Sequence, residues 1–336
     1  MNSTPMPDSP HLFDIVIAGE TNLDLILYGL ARELPVEREL LASGFRMTLG
    51  GSSSILAHNL AILGTRVGFA SMVGDDEMAE IAIARLAASG LDTSHIIRRK
   101  GAATGVTILL PHEKERHILT YPGVIAELSV ADLDVKFLAS APHFHLSSLF
   151  LQTGLHPGLP QLFDNLRASG VRISLDTNDD PADQWQGILT EVLDKIDILL
   201  PNENELLRMT GMHSTESALD VMATRVPLIV VKCGARGAIV QSGQRRDWVA
   251  PISVSPVDTI GAGDSFDAGF LHAYLRGANP VRAAALGNLT GALSTLRPGG
   301  TEAFLDIQLR EMFLRSAARP PHDRPDSQGQ VNKSTD

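Results

Sequence analysis

Between residues 14 and 296 the chain alternates short apolar runs with helical patterns, and this alternation limits its fold more than any other feature. Runs suited to strands fall at 14–20, 67–73, 143–148, 171–176, 196–200, 228–232 and 237–241. Helical periodicity falls at 52–63, 76–89, 158–169, 184–195, 203–210, 216–224, 264–275 and 280–296. Strands that alternate with helices predict an α/β fold, a mostly parallel sheet with helices on both faces. Two stretches break the rhythm. Residues 23–49 and 95–122 hold short strand-like runs and no helix; Thr104–Leu110 and Arg116–Tyr121, joined by Pro-His-Glu-Lys-Glu, read as a hairpin. Pattern alone makes this an antiparallel excursion.

A length of 336 residues suits one large α/β domain or two smaller ones, and 44% hydrophobic residues can bury a substantial core. No apolar run is long enough to span a membrane, and residues 1–11 lack the basic and apolar regions of a signal peptide. The one cysteine, Cys233, excludes an internal disulfide and fits a reducing compartment, so a cytoplasmic location is expected. It reads as a small buried residue rather than a nucleophile. A net charge of −11 argues against nonspecific nucleic-acid binding. A polyanionic ligand would then need local help, from backbone N–H groups and a metal ion. Residues 1–11 and 319–336 are polar and proline-bearing and read as disordered tails around a folded unit at 12–318.

The densest chemistry lies in Asp258-Thr259-Ile260-Gly261-Ala262-Gly263-Asp264-Ser265-Phe266, directly before an apolar helix predicted over Asp264–Leu275 and stopped by Gly277. A helix N-terminus has unpaired N–H donors and a partial positive charge. Gly261 and Gly263 allow the backbone to approach a ligand closely, so the turn can hold an anion such as a phosphate. Asp264 stands where a carboxylate could take a proton from a hydroxyl beside that anion. A phosphate cradle with a base is the minimal kit for phosphoryl transfer. By itself the same run also reads as an ordinary N-cap. No lysine follows a glycine, which excludes a GxxxxGK[ST] loop, and Phe266 stands where GxGxxG needs its third glycine.

Residues 258–270 closely resemble the C-terminal signature of the ribokinase-like (PfkB) carbohydrate kinases. Gly50-Gly51-Ser52-Ser53-Ser54 through Gly64 resembles that family's N-terminal signature, with Gly74-Asp75-Asp76 following. Asn202-Glu203-Asn204-Glu205 fits its Asn-x-x-Glu motif. The three occur in family order over roughly residues 14–310. The resemblance implies a three-layer α/β/α sandwich with a small β-sheet lid, drawn from about 20–49 and 95–122. It implies Asp264 as the base, and Gly261, Ala262 and Gly263 as an anion hole worth roughly 3 kcal/mol per well-placed donor. Asn202 and Glu205 would organise Mg²⁺ and its waters; alone, they read as an acid-rich helix start. The loop at Asp258 borders a site for a monovalent cation such as K⁺ in relatives. Lys232, Gly234 and Gly237 resemble the turn beside ATP (alone, a plain β-turn), and Asn288 matches a position facing adenine, with Arg297–Thr301 closing the rim.

On the sugar side the resemblance assigns Asn22 and Asp24 to substrate hydroxyls and Gly50 and Gly51 to a close backbone approach. Ile55 departs from the family's usual Asn and is expected to alter which sugar is accepted. Asp176 to Asp180 lacks the Arg of the Asp-Pro-Asn-x-Arg subfamilies, which disfavours a keto-deoxygluconate-type acid. His143 and His145 alternate on one strand face, without a third and fourth metal ligand in register. The expected activity is ATP- and Mg²⁺-dependent phosphorylation of a primary hydroxyl on a small sugar. A nucleoside kinase, with Tyr121 as an aromatic wall, and a non-catalytic sensor are the alternatives. Open strand edges in the lid could pair two subunits as a homodimer.

Overall fold

A computed structural model describes residues 11–112 and 115–317. Apart from His11, the tails expected to be disordered lie outside the described residues. The strands are β1 (Ile15–Ala18), β2 (Asn22–Tyr28), β3 (Gly44–Gly50), β4 (Val67–Val73), β5 (Ile96–Arg98), β6 (Gly105–His112), β7 (Glu115–Tyr121), β8 (His143–Ser147), β9 (Arg172–Asp176), β10 (Ile198–Leu199), β11 (Leu228–Lys232), β12 (Ala238–Ser242) and β13 (Arg245–Val249). The helices are α1 (Ser52–Ile62), α2 (Glu77–Ala88), α3 (Val135–Leu138), α4 (Leu159–Ala168), α5 (Ile188–Val192), α6 (Glu203–Thr210), α7 (Thr215–Met222), α8 (Ala262–Leu275), α9 (Pro280–Ser294), α10 (Glu302–Leu305) and α11 (Ile307–Ala317).

Nine strands form one sheet in the order β13-β12-β11-β10-β9-β8-β1-β4-β5. Every pairing from β11 to β5 is parallel; β12 and β13 close one edge antiparallel. A strand buried on both faces must be apolar throughout, and β1 shows this. Its Ile15 and Ile17 join one apolar layer with Leu56 of α1 and Phe270 of α8, whereas Val16 and Ala18 join the other with Phe163 of α4 and Leu219 of α7. In α4 the buried residues Leu159, Leu162, Phe163 and Leu166 recur at helical spacing, a single stripe turned to the sheet. The three layers expected from the resemblance are therefore present.

The second sheet runs β3-β2-β6-β7, with β2 and β6 parallel and the outer pairs antiparallel. Residues 105–121 form the expected hairpin. The lid is narrower than expected at one end, because β5 pairs with β4 at the edge of the large sheet. The helix expected over 184–195 shrinks to α5 plus a short 3₁₀ turn. Asp180 explains this: its carboxylate accepts the N–H groups of Ala182, Gln184 and Trp185, folding that stretch into a tight turn. α8 starts two residues before its expected start, and β13 and α11 were not anticipated.

Ligands of parallel α/β sheets collect beyond the carboxyl ends of the strands. Here β1 leads to Glu20, β8 to Ser148, β9 ends at Asp176, β10 leads to Asn202 and β11 ends at Lys232. Connections far apart in sequence thus meet at one rim, under the lid.

Candidate active site

The N-terminus of α8 sits at the centre of this rim. Gly261 caps the helix at φ 68°, a left-handed conformation that glycine adopts without strain, and a Cβ there would lie 2.4 Å from Gly300 Cα. Ala262 donates its N–H back to Thr259 O at 3.3 Å, which leaves the N–H groups of Gly263 and Asp264 as the open donors of the helix start. The glycine turn and helix start expected from the sequence are therefore in place. A second rim segment supports it: Asn59 of α1 donates from Nδ2 to Ser265 Oγ and to Gly300 O, each at 3.0 Å.

Asp264 is buried and its side chain hydrogen-bonds Ser52, the first residue of α1. Burial and the nearby Asp176 charge lift its carboxyl to about 7, against the pulls of Lys232 and Ser52. A base whose pKa lies near neutral pH is suited to proton transfer. Ser52 also accepts from Asn178 Nδ2 at 2.5 Å, and the same amide reaches Ser148 Oγ at 2.8 Å. Ser148 and Ser53 both donate to the buried carboxylate of Glu20, at 2.7 and 2.6 Å. Sequence reading missed Glu20, Ser148 and Asn178. Three serines opening a helix after Gly-Gly were the available signal.

Gly50 explains the sugar-side turn. A Cβ there would fall 2.1 Å from Asp24 Oδ1 and 2.4 Å from Asn22 Oδ1. Both side chains press onto this backbone and are nearly buried. Asn22 Nδ2 donates to Thr107 Oγ1 at 2.9 Å, while its Oδ1 has no partner. A buried acceptor left open is costly unless a ligand donor meets it. Burial and Asp264 raise the Asp24 carboxyl to about 8, and Arg116 opposes that rise. Gly51, Gly50, Asn22 and Asp24 are therefore together beside Asp264. Ile55, expected to alter which sugar is accepted, is 2% exposed and packs against Gly261 and Gly300 at the glycine rim.

Lys232 also lies inward of its expected place. Its Nζ is 2.7 Å from Asp176 Oδ2 and 3.1 Å from Asp267 Oδ2, and a Cβ on Gly263 would lie 3.6 Å from it. Burial disfavours its charge, but Asp176, Asp267 and Glu205 raise it well above the usual lysine range. Burial pushes the Asp267 carboxyl up, while Lys232 holds Asp176 low in spite of burial. Lys232 is thus a buried cation beneath the anion turn rather than an open nucleotide contact. Gly234 opens a 3₁₀ turn after β11. Gly237 and Asn288 converge on one backbone segment: a Cβ on Gly237 would meet Val249 O at 2.1 Å, and Asn288 Nδ2 donates to Val249 O and Ala250 O. They shape the wall near the turn, with the Asn288 amide donors already used.

Asn202 and Glu205 form a capping box at the start of α6, each side chain bonding the other's backbone N–H. Burial and Asp176 raise the Glu205 carboxyl to about 7. An acid so placed gains from a nearby cation. Mg²⁺, which keeps several waters and is bound largely by substrate phosphates, would meet this pair only through water, since both Glu205 oxygens already accept from Asn202. Among the described residues no cluster of three or more acidic, His or Cys side chains forms a complete metal cage. His143 and His145 share Ser174 Oγ in the sheet interior, and burial drives both to about 3. Asp258, expected to border a monovalent-cation site, is held by protein donors. Its Oδ1 accepts from Ile260 N–H at 2.8 Å, and its Oδ2 from Tyr28 O–H at 2.9 Å and more weakly from Gly299 N–H. Burial and the Asp258 charge raise the Tyr28 hydroxyl, so it stays a donor. Three donors already serve this carboxylate.

A large, mostly parallel sheet layered with helices and a separate small sheet over its carboxyl rim is the ribokinase fold, whose pfkB members are ATP-dependent phosphotransferases. The chain belongs to the pfkB family of carbohydrate kinases, whose family model matches residues 13–307. It is 29% identical over 248 residues to an uncharacterized sugar kinase of Archaeoglobus fulgidus, covering 72% of this chain and 96% of that one. It is 28% identical over 302 residues to a 2-dehydro-3-deoxygluconokinase of Bacillus subtilis, covering 84% and 91%. Among solved structures, an E. coli protein assigned as Ribokinase II, in complex with ATP and Mg²⁺, matches with a TM-score of 0.77 at 25% identity, covering 91% of this chain and 100% of that one. Family membership makes the chain a kinase of sugars or nucleosides. Among the described residues no helix is long and apolar enough to cross a membrane.

Proposed function

We propose that the chain transfers the γ-phosphoryl group of ATP to a primary hydroxyl of a small neutral sugar. One observation carries this reading: Asp264, with a carboxyl near 7, extends from the helix whose first N–H groups form the anion turn and bonds the first residue of the helix that starts at Gly50–Gly51. Base, anion donors and sugar turn therefore meet at one point. Asn22 and Asp24 hold the acceptor, Asp264 takes its proton, and the N–H groups of Gly263 and Asp264 stabilise charge on the moving group. Mg²⁺, held through water near Asn202 and Glu205, would neutralise nucleotide phosphates.

Asp180 favours a neutral acceptor over an acidic one. It stands where a substrate-carboxylate-binding Arg would be, and its own carboxylate is turned into the 182–185 turn. For the nucleoside alternative, Tyr121 is unhelpful. It pairs with Val106 on β6, one residue off the Asp24–Thr107–Thr120 row, so strand alternation turns it to the opposite lid face. That outer face carries exposed Phe45, Leu119 and Tyr121 and supports pairing of two lids in a homodimer. A cytoplasmic location suits the single buried Cys233, whose thiol burial pushes up to about 12.

The test is ATP turnover with ribose, 2-deoxyribose, fructose, 2-dehydro-3-deoxygluconate, adenosine and cytidine. Asp24→Ala should raise KM for the accepted sugar by roughly one to two decades, because charge-assisted hydrogen bonds of about 1.5–3 kcal/mol are lost, and leave KM for ATP nearly unchanged. Turnover confined to nucleosides or to the acid would overturn the sugar assignment.

A further inference from the structure

We propose that Glu20, the buried residue that follows β1, is a positioning residue for the transfer: through Ser148 and Asn178 it sets the Ser52 hydroxyl against Asp264. This rests on the kinase reading above. A chain of hydrogen bonds makes the link. Glu20 Oε1 accepts from Ser148 Oγ at 2.7 Å, and Ser148 Oγ accepts from Asn178 Nδ2 at 2.8 Å. The same amide donates to Ser52 Oγ at 2.5 Å. Ser52 thereby turns a lone pair to Asn178 and its proton to Asp264. Members come from four places in the fold: the ends of β1, β8 and β9 and the first residue of α1.

Glu20 also holds the helix that carries Ser52. Gly51 caps α1 without a side chain, so the helix start has no cap of its own. Glu20 supplies one from another element. Its carboxylate accepts the Ser53 N–H at 3.3 Å and the Ser53 hydroxyl at 2.6 Å, and its backbone carbonyl accepts the Ser54 hydroxyl at 2.9 Å. Burial lifts this carboxyl, and the serine donors oppose that rise. Backbone conformation marks the other two members. Ser148 and Asn178 both have φ 52°, a left-handed value uncommon outside glycine. Such strain persists only where the surroundings over-determine it, and it clusters at active sites. The Asn178 N–H is anchored as well, on Asp176 Oδ1 at 3.3 Å.

Charged groups surround Asp264 on several sides. Burial, Asp176 of β9 and Glu20 raise its carboxyl, Lys232 of β11 opposes them, and Asp24 of β2 and Asp267 of α8 are close enough to feel its charge. Ser52 is the neutral donor in that set. A donor fixed against one side of a carboxyl limits its rotation and leaves the other side to the acceptor hydroxyl. In the transfer that hydroxyl's oxygen forms a bond to Pγ and its proton passes to Asp264. The bond from Pγ to the bridging oxygen breaks, and its electron pair stays on the β-phosphate of ADP. The base must lie within hydrogen-bond reach of the hydroxyl, and a misplacement of about 1 Å can cost about 10² in rate.

Ser148→Ala and Asn178→Gly test the chain without removing the helix cap, and glycine keeps the left-handed backbone at 178. Each should lower kcat by about 10–100-fold, with KM for ATP and for the accepted sugar within about threefold. Released from Asn178, the Ser52 hydroxyl no longer donates steadily to Asp264. The acid limb of kcat/KM should then move above its wild-type place near pH 7, by about half a pH unit. Ser148→Ala added to Ser52→Ala should lower kcat by less than about threefold further, because Ser148 acts through Ser52. Glu20→Gln should match the kcat loss of Ser148→Ala and also lower Tm, since an amide sets an NH₂ group against one of the two serines. A kcat loss below about tenfold in Ser148→Ala and Asn178→Gly, an acid limb that stays in place, or full additivity with Ser52→Ala overturns the assignment. A Glu20→Gln protein that loses only Tm would be missing a helix cap and nothing else, which also overturns it. If wild type transfers no phosphoryl group to any acceptor of the panel above, the kinase reading falls and this inference with it; if wild type turns over and the variants match it, this inference falls alone.

Discussion

Lys232 Nζ bridges Asp176 Oδ2 and Asp267 Oδ2, so one buried ammonium ties the end of β9 to α8 just past Asp264. Removing one partner of such a cluster strands the other charges in a dry site, which typically costs about 3–5 kcal/mol. Lys232→Met should lower stability by that order in urea titrations. Adding Asp267→Asn to it should recover part of the loss. If Lys232→Met weakens nucleotide binding while leaving stability unchanged, the residue faces the nucleotide after all.

Asp264→Asn should lower kcat by about 10²–10⁴, the range for loss of a general base. The same change should stabilise the protein at alkaline pH. The folded carboxyl titrates near 7 and the unfolded one near 3.8, so the folded state holds the proton more tightly. The stability this contributes is fully present below about pH 4 and is lost as pH rises to 7. Melting curves of wild type and Asp264→Asn should therefore coincide near pH 4 and diverge at pH 8, with the variant higher. In wild type, kcat/KM should fall about tenfold per pH unit below pH 7. Equal melting at both pH values would show that the carboxyl is not strained.

The two glycines of the anion turn should differ in tolerance. Gly261→Ala meets both a left-handed φ and Gly300 Cα, so it should unfold at lower temperature and lose turnover. Gly263 is helical, and the Lys232 side chain leaves ordinary contact distance for a methyl group. Gly263→Ala should keep the fold and lose activity through crowding of the bound phosphate. The check is thermal unfolding alongside steady-state kinetics. A Gly261→Ala protein as stable as wild type would contradict the close approach of the two rims.

Replacing KCl by tetramethylammonium chloride at equal ionic strength should leave both Tm and turnover unchanged, since Asp258 is already met by Tyr28, Ile260 and Gly299. Tyr28→Phe should lower stability by about 1.5–3 kcal/mol by removing a donor to a charged group. A K⁺-specific rise in wild-type Tm would show that an ion enters this loop and displaces the tyrosine.

The anion turn was legible because its glycines and carboxylate are contiguous, and a helix start is a local event. The parallel sheet was legible from its fully apolar strands. β13 escaped notice because Arg245-Arg246-Asp247-Trp248-Val249 is a charged edge strand, buried only at its last residue. The carboxylate network was illegible for another reason. Lys232, Asp176 and Asp267 are brought together by tertiary packing, and no spacing rule links residues 35 or 56 apart. Ile55 shows what a motif match leaves open: the match gives its position, but its packing against Gly261 and Gly300 comes from side-chain direction on α1. One turn further on, Asn59 supplies an amide to the same rim, which the sequence offered without any indication of its target.

Helix α1 begins at the glycine turn under Asn22 and Asp24, and its Ile55 and Asn59 grip Gly300 and Ser265 at the opposite side of the cleft. The helix therefore joins the small sheet, where Asn22 and Asp24 stand on β2, to the glycine rim of the large domain. A shift of the lid would be passed along this one rod to the rim, so the choice of acceptor and the geometry at the start of α8 are mechanically tied on this scaffold.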